Sequence, residues 1–246
     1  MILNKIAEKT RERVESLKET MPLAELKTRV NSMAGDKTFA FEKAISKPGL
    51  SFICEIKKAS PSKGIISEDF PYLEIAKEYE AMGASAISVL TEPHFFLGSD
   101  SHLTEISQTV NLPLLRKDFI IDPYQIYEAK YIGASAVLFI CALLETKILC
   151  EYMEIAESLG LSALVETHNE TEVESALAAN ARIIGVNNRN LQTFEVNIET
   201  SIRLRKLVPD NILFVAESGI ETCKDILRLQ SANAVLIGEA LMRNRN

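Results

Sequence analysis

The sequence predicts an α/β protein, a single (β/α)8 TIM barrel preceded by an N-terminal helical extension. Three observations lead there. One short passage, a helical stretch, then Gly or Asn, then a β-branched run, occurs four times: Ala81–Val89, Tyr131–Leu138, Ala179–Val186 and Ser231–Ile237. Its turn residues Gly83, Gly133, Asn180 and Asn233 lie 50, 47 and 53 residues apart, too far for one βα unit of about 25–30 residues and right for two. Between them lie further apolar runs at Phe52–Ile56, Pro113–Leu115, Ser162–Val165 and Ile212–Val215, which bring the strands to eight. Near-continuous apolar strands alternating with helical periodicity indicate a parallel sheet covered on both faces. Eight units in about 195 residues favour closure, with an open doubly wound sheet as the alternative on pattern alone.

The elements follow in order. Residues 1–48 read as the extension, with Leu3, Ile6, Val14, Leu17 and Met21 on one helical face and Leu23, Leu26, Val30 and Met33 on another, and Pro22 suited to a first turn. Such helices either cap a barrel end or cover the mouth of a site. Residues 49–246 read as the barrel, one domain overall, with strands starting near 52, 85, 113, 136, 162, 182, 212 and 234. Amphipathic stretches such as Tyr72–Met82, Tyr124–Ile132 and Thr171–Asn180 separate them. Gly83, Gly133, Asn180 and Asn233 suit left-handed helix C-caps.

Composition narrows the function. Lys and Arg number 27 against 34 Asp and Glu, a net charge of −7, which disfavours a nucleic-acid partner. The longest stretch without charge, Tyr131–Leu144, is 14 residues, below the roughly 18–20 a bilayer requires, so no membrane partner is expected. Lys5, Glu8 and Lys9 interrupt any secretory core, and the expected location is cytoplasmic. Cys54, Cys141, Cys150 and Cys223 lack CxxC spacing, and His94, His102 and His168 form no ligand pattern, so neither disulfides nor a metal is expected.

Barrel enzymes place chemistry at the C-terminal ends of strands. Here those ends read Glu55-Ile56-Lys57, Thr91-Glu92, Arg116-Lys117-Asp118, Glu166, Asn187-Asn188-Arg189 and Glu217-Ser218-Gly219. Some of these charges mark only where buried strands surface. Glu55 and Lys57 are different, because they share one strand face inside a run that still faces the barrel. Lysines and glutamates converging on one pocket tune each other's pKa, which favours acid/base chemistry without a metal. Two Gly turns, Glu217–Ile220 after strand seven and Ile237–Ala240 after strand eight, each open a helical stretch and suit a phosphate.

These segments resemble the indole-3-glycerol-phosphate synthases over nearly the whole chain. The match is carried by Glu55–Gly64 (EIKKASPSKG), Leu90–Glu92 with Phe95–Ser99, Leu115–Ile126 (LRKDFIIDPYQI), Leu164–His168 (LVETH), Gly185–Leu191 (GVNNRNL), Ala216–Ile220 (AESGI) and Leu236–Arg243 (LIGEALMR). The resemblance implies a lyase of tryptophan biosynthesis that closes 1-(2-carboxyphenylamino)-1-deoxyribulose 5-phosphate to indole-3-glycerol phosphate, losing carbon dioxide and water with no cofactor. It implies that Lys117 is the general acid at the ketose oxygen. Lys57 holds the substrate carboxylate and is a candidate for dehydration, and Glu166 and Glu55 serve later proton transfers. By the same resemblance Asn187 orients Glu166, and Arg189 belongs to the same wall. Ser60, Ser218, Gly219, Gly238 and Glu239 bind the phosphate and nearby hydroxyls, and Phe96 and Phe119 flank the anthranilate ring. The partner is a phosphorylated small molecule, and the chain is expected to be a monomer or weak homodimer.

Two departures from the family pattern are visible: Thr167 stands where Val is typical, and the chain ends at Asn246 where a full eighth helix is usual. The second predicts an apolar strip exposed between the helices flanking strands eight and one. Two rival readings are a Schiff-base aldolase using Lys117 or Lys57, whose usual strand-six lysine is Asn187 here, and a non-catalytic barrel that binds a sugar phosphate.

Overall fold

The computed structural model describes residues 2–33 and 38–243. Three helices, α1 (Ile2–Thr20), α2 (Leu23–Ser32) and α3 (Ala40–Ile45), precede the sheet. The barrel strands, numbered here in chain order, are Ser51–Ile56, Ala86–Leu90, Leu114–Lys117, Ala136–Ile140, Ser162–Thr167, Ile183–Asn187, Leu213–Glu217 and Ala234–Ile237. They close into one parallel barrel, the last strand pairing the first with Ser51 opposite Ala234 and Ile53 opposite Leu236. The open doubly wound alternative is thereby excluded. Between and after the strands come α4 (Tyr72–Ala81), α5 (Asp100–Ser107), α6 (Pro123–Tyr131), α7 (Thr146–Ser158), α8 (Glu170–Ala178), α9 (Glu199–Leu204), α10 (Cys223–Arg228) and α11 (Glu239–Arg243).

Local chemistry sets the helix starts. Ser99, Asp122 and Asn169 each accept a backbone N–H from the first turn of α5, α6 and α8, and Pro123 sits at the first turn of α6. Thr222 and Asp225 form a reciprocal capping box at α10. Alternation along each strand then divides the apolar residues in two. Ile56, Val89, Val137, Val165 and Phe214 pack outward under the helices, while Ile53, Leu115, Leu138, Leu164, Val215 and Leu236 fill the barrel interior.

The extension spans both ends of this interior. Phe41 and Ile45 of α3 are fully buried against Ile53, Ala86 and Ala136, and so plug the end where the strands begin. Helix α1 buries Leu3, Ile6, Thr10 and Val14 and reaches the opposite mouth, where Arg13 pairs with Asp118 at 2.7 Å. Of the second apolar face, Leu26 and Val30 are buried but Met33 is exposed, because α2 ends just before it.

Two helix ends differ from the sequence reading. Gly83, Gly133 and Asn180 are left-handed as expected, but Asn233 is not. Helix α10 stops at Arg228, and Asn233 bonds to the starts of the two neighbouring strands instead: its Oδ1 accepts from Phe214 N and its carbonyl from Ser51 N. Gly160 after α7 takes the left-handed role at a turn that the two-unit repeat skips. Thr167 is buried and donates to the Gly185 carbonyl at 2.9 Å, so the hydroxyl in place of the usual Val is satisfied. The core face of α4 (Ile75, Ala76, Tyr79) is buried, with Met242 of α11 packed beside Tyr79. Leu227 on α10 and Met82 just past α4 are exposed. Residues 244–246, where the chain end falls, lie outside the described residues.

Candidate active site

Inward-facing polar residues at the strand ends surround a cavity of about 380 Å³. Glu55, Lys57, Ser60, Phe96, Lys117, Phe119, Glu166, Asn187, Arg189, Ser218, Gly219, Gly238 and Glu239, all singled out from the sequence, line it together. Ile2, Leu3 and Ile6 of α1 line it as well, so the extension covers the mouth.

At its centre lies Lys117. Its Nζ contacts Glu166 Oε2 at 3.1 Å and Glu217 Oε2. Burial pulls the ammonium pKa down, but Glu217, Glu166 and Glu55 outweigh that and hold it above the ordinary lysine value. Glu166 is anchored further by Asn187 Nδ2 at 3.2 Å, and although burial opposes its charge, Lys117 and His168 keep it below the usual carboxylate range. Glu217 has less support. Its Oε1 is buried with no hydrogen-bond partner, and desolvation and the Glu166 charge push its pKa up to about 7 despite Lys117. A charged lysine thus sits between one firmly ionised carboxylate and one that titrates near neutrality, an arrangement able to give and take protons.

The second lysine follows strand one, two strands along from Lys117. Lys57 Nζ contacts Glu55 Oε1 at 2.5 Å, as their shared strand face predicts. Gly238 makes room for this pair. A Cβ at Gly238 would overlap Glu55 Oε1 and come within 3.0 Å of Glu55 Cβ. We therefore expect Gly238→Ala to push Glu55 off Lys57, to cost about 1–3 kcal/mol of stability by overpacking and to lower kcat. Urea denaturation and steady-state kinetics check this, and a variant with unchanged stability and rate would show that Glu55 has free space.

Around the rim, Phe96 and Phe119 pack tilted by 36°, with ring centroids 5.9 Å apart. Arg189 donates its backbone N–H to Asn187 Oδ1 at 3.0 Å. The Glu239 carboxylate lies between Lys63 Nζ at 3.3 Å, Arg189 Nη2 at 3.7 Å and Arg243 Nη2 at 3.2 Å. Lys63 belongs to a small hairpin, Ala59–Ser60 against Gly64–Ile65, that rises over this side. Both phosphate-candidate turns are present, with one correction. Helix α11 opens directly at Glu239, but Ser218 and Gly219 adopt left-handed φ of 67° and 74°, and α10 begins only after its Thr222 cap.

Several rim charges turn away from the cavity. Arg116 lies at an outward position of strand three, fully buried between sheet and helices, and Asp118, just past the strand end, is buried at the cavity wall and held by Arg13 and Arg116. Glu92 accepts the backbone N–H groups of His94, Phe95 and Phe96 and so shapes the loop carrying Phe96. Asn188 binds Ser201 and the Ser218 carbonyl, which steadies the turn beside Gly219. Conversely, Glu217, Lys63 and the α1 side chains reach the cavity without a role of their own in the sequence reading. For Glu217 the signal was available, since it has the inward parity of Val215. Among the described residues no group of three or more His, Cys, Asp and Glu is arranged to hold a metal ion.

Comparison with known proteins shows the family. A family model described as indole-3-glycerol phosphate synthase matches residues 3–246. Among curated relatives, an indole-3-glycerol phosphate synthase from Ruminiclostridium cellulolyticum is 62% identical over 246 residues, covering 99% of this chain and 95% of the relative. Proteins of the same name from Endomicrobium trichonymphae and Lachnoclostridium phytofermentans are 58% and 53% identical, each over 100% of this chain and 96% of their own length.

Proposed function

The chain belongs to the indole-3-glycerol phosphate synthase family, and we propose that the residues of its barrel mouth divide the work of that reaction as follows. The family's enzymes are carboxy-lyases of tryptophan biosynthesis that close 1-(2-carboxyphenylamino)-1-deoxyribulose 5-phosphate to indole-3-glycerol phosphate. The aromatic carbon bearing the carboxylate attacks the ketose carbon, and Lys117 protonates the ketose oxygen as negative charge develops there. Loss of carbon dioxide restores the aromatic ring. Water then leaves, with Glu166 and Glu55 moving protons and Lys57, which has held the substrate carboxylate, beside the departing hydroxyl. Asn187 fixes Glu166, Phe96 and Phe119 enclose the anthranilate ring, and Ser60 and Arg189 bind the sugar side. The observation carrying this reading is the buried Lys117 held between Glu166 and Glu217, with Lys57 lining the same cavity.

The phosphate fits the cavity at the backbone of Ser218, Gly219, Gly238 and Glu239. Lys63 and Arg189, now shared with the Glu239 carboxylate, add positive charge there. A protein of net charge −7 needs such a local basic cluster to take a substrate carrying both a phosphate and a carboxylate. Exposed large apolar side chains sit on separate elements, among them Ile65, Met82, Leu207 and Leu227, which supports a monomer or weak homodimer. Among the described residues no helix is long and apolar enough to cross a membrane. A cytoplasmic location is supported by four free cysteines.

One assay tests both halves of the proposal. The chain contains no tryptophan, so indole emission from the product rises over a dark protein background. Purified protein given the substrate should produce that emission, and inorganic phosphate should inhibit competitively. Absence of product would overturn the catalytic reading. Product formation that inorganic phosphate leaves untouched, even at high concentration, would move the phosphate away from Gly219 and Glu239.

A further inference from the structure

His168 follows strand five just past Glu166, and the mechanism above gives it no role. Its ring lies between two carboxylates. Nδ1 contacts Glu172 Oε2 at 2.9 Å, and the buried Nε2 lies 3.4 Å from Glu166 Oε1, at ion-pair reach though not aligned as a hydrogen bond. Glu172 is itself fixed, accepting the His168 backbone N–H at 2.9 Å and Asn169 Nδ2 at 2.8 Å at the start of α8. A neutral ring with its proton on Nδ1, the tautomer Glu172 selects, would aim the Nε2 lone pair at the Glu166 carboxylate. Only the doubly protonated ring suits both neighbours.

We propose that His168 is a positioning residue, an imidazolium clamped by Glu172 that keeps the Glu166 carboxylate ionised and turned toward Asn187 and Lys117. The proposal rests on the reading of Glu166 as a proton-transfer group. The charged and titratable groups around the ring are Glu166 on its own strand, Glu172 on α8, Lys117 beyond Glu166, and the Cys141 thiol, whose pKa burial pushes up to about 12. Burial opposes the ring's charge, but Glu166 and Glu172 prevail and raise the His168 pKa to about 10. The sign follows: a raised histidine pKa contributes stability that is complete below about 6.5 and lost as pH rises toward about 10.

His168→Asn removes the cation. Glu166 should then protonate at higher pH, moving the acid limb of kcat up by about 1–3 pH units, with KM changing little. Glu172→Gln should move it the same way by less. Wild-type protein carrying 15N-histidine has only three histidines to resolve, and the His168 ring should read as doubly protonated at pH 8. A neutral ring at pH 8 overturns the proposal without reference to activity and stands even where the Asn variant fails to fold. An unmoved acid limb in both variants overturns it as well, provided Glu166→Gln loses at least about 10²-fold in kcat. A Glu166→Gln enzyme of normal rate would instead overturn the assignment of Glu166, and the proposal with it.

Discussion

Lys117→Ala is expected to lower kcat by at least 10²- to 10⁴-fold, the usual worth of a positioned general acid. The loss should reach the upper part of that range because the side chain is almost enclosed. The side chain is 13% exposed, in a cavity that Ile2, Leu3 and Ile6 also line, so bulk water replaces it poorly as a proton source. Removing it also leaves Glu166 and Glu217 facing each other without their shared cation. Glu217, already at about 7, should then take up a proton at neutral pH. KM should change less, since Lys57 still meets the substrate carboxylate and the two turns still meet the phosphate. Lys117→Arg separates charge from chemistry: a guanidinium restores the ion pairs but does not release a proton in this pH range, so stability should return while kcat stays low. Borohydride should trap no adduct, because a proton donor forms no imine. Near-normal kcat with only a raised KM would make Lys117 a binding residue, and a trapped imine would restore the aldolase alternative.

Adjacent residues on strand three show why the site was more legible in the sequence than its support. The barrel is readable because every strand is a short apolar run and every connection a helical period, so local patterns agree with the closed sheet. The catalytic lysines and glutamates are readable because an ionisable residue at an inward position of such a strand has little structural reason to be there. Parity alone does not interpret Arg116, which looks like a rim charge until its partners, Asp100 and Glu128 on separate helices, are brought to it. The same holds for α3, whose Phe41 and Ile45 plug the barrel although six residues carry too few periods to announce a helix. His168 was visible only as part of a motif, because its meaning depends on Glu172 reaching back from α8.

Arg116 therefore yields the largest expected effect on stability. Its guanidinium is fully buried and fully used: Nη2 meets Glu128 at 2.7 Å, Asp100 at 2.8 Å and Asp118 at 3.2 Å, Nη1 donates to the Gln125 carbonyl, and Nε donates to Thr91 Oγ1. Arg116→Met keeps much of the volume but strands these carboxylates in a dry seam between sheet and helices. Breaking a buried ion pair from one side costs about 3–5 kcal/mol, which for a chain of this size lowers Tm by on the order of 10 °C. The deficit should depend on pH with a definite sign. Burial opposes the Asp118 charge, but Arg13 and Arg116 hold its pKa below the ordinary value, so its contribution is present above about pH 4 and fades in acid. Glu128 is already raised by burial against Arg116, and without that cation it rises further, so the variant gains protons, and relative stability, as pH falls. Both effects shrink the gap between wild type and variant from neutral toward acidic pH. Adding Glu128→Leu to Arg116→Met should recover part of the loss, since an apolar pair replaces a broken ionic one. Because Arg116 faces away from the cavity, kcat measured well below Tm should stay within a few-fold of wild type, the reverse of the result at Lys117. Urea and thermal denaturation across pH check the claim, and a variant within about 1 kcal/mol of wild type at neutral pH would reduce this network to a marginal ion pair.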